Sequence, residues 1–257
     1  MTVEVLEITW PGVRIAGLAA DLEQAAGGLL RYAEDALADV ALTLWLFQEA
    51  QDAPTAAWDK RRDSMDADQE QERTVYDRLL QQSGADQLDW PEGRHLQDAV
   101  SRQASIEAKR QRWASGRMPV SYAARLPFIY AEAFLTSVDR ILKALRALGN
   151  LAGVPGGVRR AVAALEAQLP RVTDVRDSIQ HGEDRMRGRA HGRDLNPEDG
   201  VIVHRALLGD RYAMTIADGS VVGIGVTIET AVAAQTALQA SINTLAWTGS
   251  ARHAPFG

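Results

Sequence analysis

Apolar positions in the first half of the chain step in threes and fours, the period of a helix that buries one stripe. Leu18, Leu22, Ala26, Leu29, Leu37, Val40, Leu44 and Phe47 predict a long amphipathic helix over residues 13–50, weakened at Gly27-Gly28. A short extended stretch with Val3, Val5 and Ile8 precedes it and ends at the turn signal Trp10-Pro11-Gly12. Pro54-Thr55 punctuates the pattern, and a strongly charged helix follows over 59–82, with a thin stripe of Trp58, Met65, Val75 and Leu79. Ser83-Gly84 ends it and Pro91 opens another helix, whose expected buried line is Leu96, Ala99, Val100, Gln103, Ile106, Arg110 and Trp113. Beyond the loop at 115–119, a helix starting near Ser121 or Pro127 and ending at Leu148 turns Phe134, Leu135, Val138, Ile141, Leu142 and Leu145 inward. Glu132, Thr136, Asp139 and Lys143 line its polar flank. A Gly- and Pro-containing loop at 149–157 and a shorter helix at 158–169 lead to Pro170.

The pattern changes after Gly188. Residues 189–200 are polar and read as a linker. Strand-like runs at 201–207, 212–216 and 221–226 are separated by Gly209-Asp210 and Asp218-Gly219, both hairpin signals. Thr227 can cap a last helix whose apolar face is Ile228, Val232, Leu238, Ile242 and Leu245, and this helix is the expected cover for the three strands. The fold class expected is therefore mainly α: a helical bundle over 1–198 with a small C-terminal unit at 199–257, made of a three-stranded antiparallel meander plus a helix.

Composition narrows the chemistry. The chain has 257 residues, 46% of them hydrophobic and 24% charged, with a net charge of −6, so no global field draws it toward nucleic acid. Any RNA contact has to come from a local basic patch. Cysteine is absent, which removes disulfides, thiolate nucleophiles and zinc–thiolate sites together. Glu4 and Glu7 stand where a signal peptide would carry positive charge, and no apolar run approaches the length of a membrane span. The expected location is cytoplasmic, with no membrane partner.

The stretch from Val172 to Met186 carries the candidate chemistry. Val172, Val175, Ile179 and Met186 fall on one helical stripe, and Gly182 joins them. Arg176 lies about 80° from the centre of that stripe and His181 about 140° from it. Asp177 and His181 are four apart and can share a face. A helix docked through its valines would thus present Asp177 and His181 outward. An Arg, a polar residue and, after four intervening positions, a His, as in Arg176-Asp177-Ser178-Ile179-Gln180-His181, resembles the signature of the HEPN superfamily. The helix beginning Phe128-Ile129-Tyr130 is similar to the long partner helix of such domains, so the resemblance covers residues 120–190. It implies a metal-independent endoribonuclease of toxin or defence type acting as a homodimer, held by an antitoxin-like protein partner. In that role Arg176 steadies the phosphate, His181 transfers protons and Asp177 orients the imidazole.

Glu132, Thr136 and Asp139 either support this site or form a solvated flank with charge pairs. Arg185, Arg187, Arg189 and Arg193 either hold an RNA backbone or belong to a plain linker diluted by Glu183, Asp184 and Asp194. His181-Gly182-Glu183-Asp184 and His191-Gly192-Arg193-Asp194 echo each other, but no His-x3-His pair lies on a helix, so neither metal nor cofactor is expected. Gly223-x-Gly225 lacks the third glycine of a dinucleotide site. The rival reading is a non-catalytic interaction module, favoured by the acidic run from Asp66 to Glu72 and by the long N-terminal helices.

Overall fold

The computed structural model describes residues 4–84, 91–190, 193–194 and 202–255. Strands β1 (Ile8–Trp10) and β2 (Arg14–Ile15) precede α1 (Ala20–Asp63), α2 (Met65–Ser83), α3 (Glu92–Ala114) and α4 (Val120–Ala123). Next come α5 (Leu126–Gly149), α6 (Gly156–Gln168), α7 (Val172–Gln180) and α8 (Gly182–Met186). Strands β3 (Arg189–Ala190), β4 (Arg193–Asp194), β5 (Ala206–Leu208), β6 (Arg211–Thr215) and β7 (Val221–Gly225) lead to α9 (Ile228–Asn243), β8 (Trp247–Thr248) and β9 (Arg252–Ala254). The fold is mainly α, with the expected antiparallel meander β5-β6-β7 near its C-terminus.

The chain divides into two compact units, one of residues 1–49 with 127–257 and one of residues 50–126. This division does not follow the 198/199 boundary expected from the sequence. Within the first unit α9 packs on α6 and β1, α7 packs on β6 and β7, and β1 and β2 pair with β9 and β8. The meander is thus built into the helical body.

The first unit has one continuous core. The stripe Leu30, Leu37, Val40, Leu44 and Phe47 of α1 meets Phe134, Leu135, Ile141, Leu142 and Leu145 of α5, all almost fully buried. Each such side chain contributes roughly 1.5–3 kcal/mol on leaving water. Val158, Val162 and Leu165 of α6, Val172 and Val175 of α7, Tyr212 and Met214 of β6 and Leu238 and Ile242 of α9 join the same cluster. Gly157 permits the approach of α6 to the end of α9, since a β-carbon there would lie 2.3 Å from Thr244 Cγ2. The Thr227 hydroxyl accepts the Thr230 N–H and caps α9 as expected. The helix covering the meander is α7, rather than α9 as the sequence suggested.

Other boundaries also shift. Residues 13–19 are not helical: Arg14 and Ile15 form β2 against β8, a pairing too short to leave a period-two signature. Neither Gly27-Gly28 nor Pro54 interrupts α1, and the break falls at Ser64. The expected linker at 189–200 contains the β3–β4 pairing, with Arg189 opposite Asp194; residues 191–192 and 195–200 lie outside the described ones.

In the second unit α2 and α3 run antiparallel, linked by the Arg78–Glu107 ion pair and the hydrogen bond from Gln71 to Gln111. Val75, Ala104 and Ala108 form the buried seam, with Tyr76 and Leu79 partly buried against it. The buried line of α3 is therefore Val100, Ala104 and Ala108, while Ile106 and Trp113 stay exposed. Small residues at four-residue steps let two helices approach closely, which the bulkier expected line would prevent.

Candidate functional site

The site is built on α7. Val172 and Val175 are buried and fix its inward face, as the stripe predicts. Arg171 precedes the helix in the left-handed region (φ 69°), and its guanidinium bridges Asp174 at 2.5 Å and Asp218 at 2.6 Å. That contact ties the start of α7 to the β6–β7 turn. The Ser220 hydroxyl, the Arg171 guanidinium and the Ser220 N–H hold the Asp218 carboxyl well below the usual carboxylate range.

The far end of α7 departs from the expected single helix over Val172–Met186. It stops at Gln180, His181 takes the C-cap position and donates its backbone N–H to Asp177 O at 3.1 Å, and α8 starts afresh at Gly182. Met186 is consequently not on the buried stripe but 73% exposed. The interruption resets the helical phase, so residues beyond 181 no longer obey the stripe drawn through Val172.

Arg176 and Asp177 meet α5. Asp139, 1% exposed, accepts the Thr173 hydroxyl at 2.8 Å on Oδ1 and faces Lys143 Nζ at 2.7 Å and Arg176 Nε at 3.5 Å on Oδ2. Arg176 Nη1 donates to Asp177 Oδ1 at 2.9 Å, and Lys143 Nζ lies 3.7 Å from the same oxygen. Two cations and two carboxylates thus form a closed, formally neutral square between α5 and α7. Burying Asp139 would be costly without those partners. Asp139 is accordingly not part of a solvated flank. It anchors the signature helix.

The remaining expected residues separate. Thr136 bonds back to Glu132 O at 2.8 Å within α5. Glu132 turns to the meander, accepting the Tyr212 hydroxyl at 2.9 Å with Arg205 Nη1 at 3.5 Å. Burial, then the Glu132 carboxylate, push the Tyr212 phenol well above its ordinary value, so it remains a neutral donor. His181 is exposed, and among the described residues neither its ring nor the Asp177 carboxylate reaches the other by a hydrogen bond. Asp177 instead braces Arg176. Arg187 and Arg189 are exposed after α8, while the side chains of Arg185 and Arg193 lie outside the described ones.

Sequence reasoning passed over His204. Its ring lies on the α7–α8 junction: a β-carbon on Gly182 would stand 3.2 Å from His204 Cε1. No periodicity signals this contact, because it joins residues 22 positions apart through an irregular segment. A separate cleft of about 370 Å³ is lined by residues including Trp10, Arg14, Glu23, Trp247 and Arg252, and by none of the signature residues. There Glu23 occupies Arg14, and Arg252 lies over the Trp10 ring near Glu34.

Among the described residues no helix is long and apolar enough to cross a membrane. No family model, no curated protein and no solved structure matches the chain.

Proposed function

We propose that the protein is a HEPN-like, metal-independent endoribonuclease whose site closes when two copies bring their α7 helices together. The observation that carries this reading is the division of labour between α7 and the residue that ends it. Arg176 Nη1 donates to Asp177 Oδ1 at 2.9 Å, while Nε is buried 3.5 Å from Asp139 Oδ2 without a hydrogen bond. A guanidinium anchored through one hydrogen-bonded nitrogen on a well-packed helix keeps further N–H donors for a phosphate oxygen. His181, five residues on at the C-cap, offers an exposed imidazole for proton transfer. The exposed Arg187 and Arg189 add positive charge beyond it, suited to the flanking backbone of an RNA strand. Activity in a toxin or defence setting, with a restraining antitoxin-like protein, follows from the resemblance alone.

A non-catalytic interaction module is the second reading, favoured by the same neutral square. A phosphate reaching Arg176 meets a charge already balanced by two carboxylates. Incubating purified protein with transfer RNA in EDTA separates the two. The nuclease reading expects cleavage that His181→Ala lowers by about 100-fold or more. Equal cleavage by His181→Ala removes the role assigned to that ring, and no cleavage or salt-sensitive retention of RNA leaves the interaction module.

A further inference from the structure

Beyond Arg176 and His181, a second imidazole lies at the same junction. His204 sits in a short extended segment pinned on both sides. Val203 N donates to Thr215 Oγ1 and Val203 O accepts from Thr215 N, each at 2.8 Å, and Thr215 is fully buried. Arg205 stacks over the Phe128 ring with 5.2 Å to its centroid and reaches Glu132 at 3.5 Å. Backbone freedom at His204 is thereby removed, and its ring is delivered onto Gly182, the residue after His181. The Cε1–Nε2 edge faces that glycine, with Nε2 4.0 Å from the position a β-carbon would take.

Within this rigid frame Nδ1 is buried without a hydrogen-bond partner. A proton on Nδ1 would be a buried donor with no partner, which favours the tautomer that carries it on Nε2. Filling the space over Gly182 with a leucine would avoid the cost of a buried unpaired nitrogen. The imidazole therefore gains something that packing alone does not supply.

We propose that His204 is a phosphate-binding residue of the α7 site. Its Nε2–H donates to a non-bridging phosphate oxygen beside His181, and His181 alone handles protons. The proposal rests on the phosphodiester reading above and adds to it a donor from outside the signature. Gly182 gives the ring its close seat, since a β-carbon there would make the imidazole give by a few tenths of an ångström.

The test uses the full-length protein and uridine 3′-monophosphate as probe. Long-range proton–nitrogen NMR spectra of the wild type should show His204 as the Nε2–H tautomer. The nucleotide should shift the His204 Nε2 and the His181 ring resonances together. His204→Leu, which keeps bulk and removes the donor, should bind the nucleotide about 10- to 100-fold more weakly, the loss of one hydrogen bond to a charged group. His204→Gln, which restores an N–H, should recover part of that loss, a rescue that a merely space-filling role would not produce. If the nucleotide moves only His181, or the Nδ1–H tautomer is found, His204 is a packing residue and the phosphodiester reading stands without it. If neither ring responds and RNA is not cut, both fall. The wild-type spectra decide the matter even if a variant fails to fold.

Discussion

Among the described residues, the two units of the chain bury their helices with very different amounts of apolar surface. The unit of residues 1–49 and 127–257 has a continuous core drawn from α1, α5, α6, α7, α9 and the meander, and it closes an ionic square around the buried Asp139. The α2–α3 hairpin of the other unit has Val75, Ala104 and Ala108 as its buried seam, stitched by exposed ion pairs such as Arg78–Glu107 and Arg117–Asp68. Exposed pairs contribute little. Among the described residues, Arg176 and His181 belong to the unit with the continuous core, the kind of support that a precise site needs.

That contrast can be broken by mutation. Phe134→Ala, in the first core, should destabilise the protein by about 3–5 kcal/mol in denaturant melts. Asp139→Ala should cost about 2–4 kcal/mol, because Arg176 loses the carboxylate that balances it inside the fold. If Asp139→Ala is neutral, the square is decoration and α7 is held by its valines alone. Val75→Ala should cost about 1–2 kcal/mol and act locally, speeding hydrogen exchange in α2 and α3 while leaving α5 protected. Tyr212 gives a smaller, pH-dependent effect. The folded phenol keeps its proton above about pH 10, where the unfolded one loses it, so its contribution is complete below that pH and declines as pH rises further. Tyr212→Phe should flatten that alkaline slope. Arg94→Ala, which removes an exposed pair with Asp98, should stay within about 0.5 kcal/mol.

What the sequence showed follows from which interactions are periodic. The long stripes of α1 and α5, the hairpin signals at Gly209-Asp210 and Asp218-Gly219, and the Thr227 cap are local, and each appears where expected. The outward turn of His181 was legible as well, since Val172 and Val175 fix the phase of α7. Burial of Asp139 was not, because a carboxylate on a helical flank reads as solvated until Thr173, Lys143 and Arg176 are brought over it by tertiary packing. Nor was the pairing of β1 with β9, which joins the two ends of the chain through three-residue strands. The α7–α8 break escaped for a related reason. Gly182 fits a continuous stripe by spacing, yet the structure uses it as the floor under His204.

The chemistry of the ends left on cut RNA tests the central claim most directly. Transfer RNA incubated with the wild type in EDTA should yield fragments with 2′,3′-cyclic or 3′-phosphate ends and 5′-hydroxyl ends by mass spectrometry, as attack by the neighbouring 2′-hydroxyl requires. His181→Ala should leave the RNA intact over the same period. Intact RNA with the wild type, the same fragments from His181→Ala, or fragments carrying 5′-phosphate ends would contradict the account.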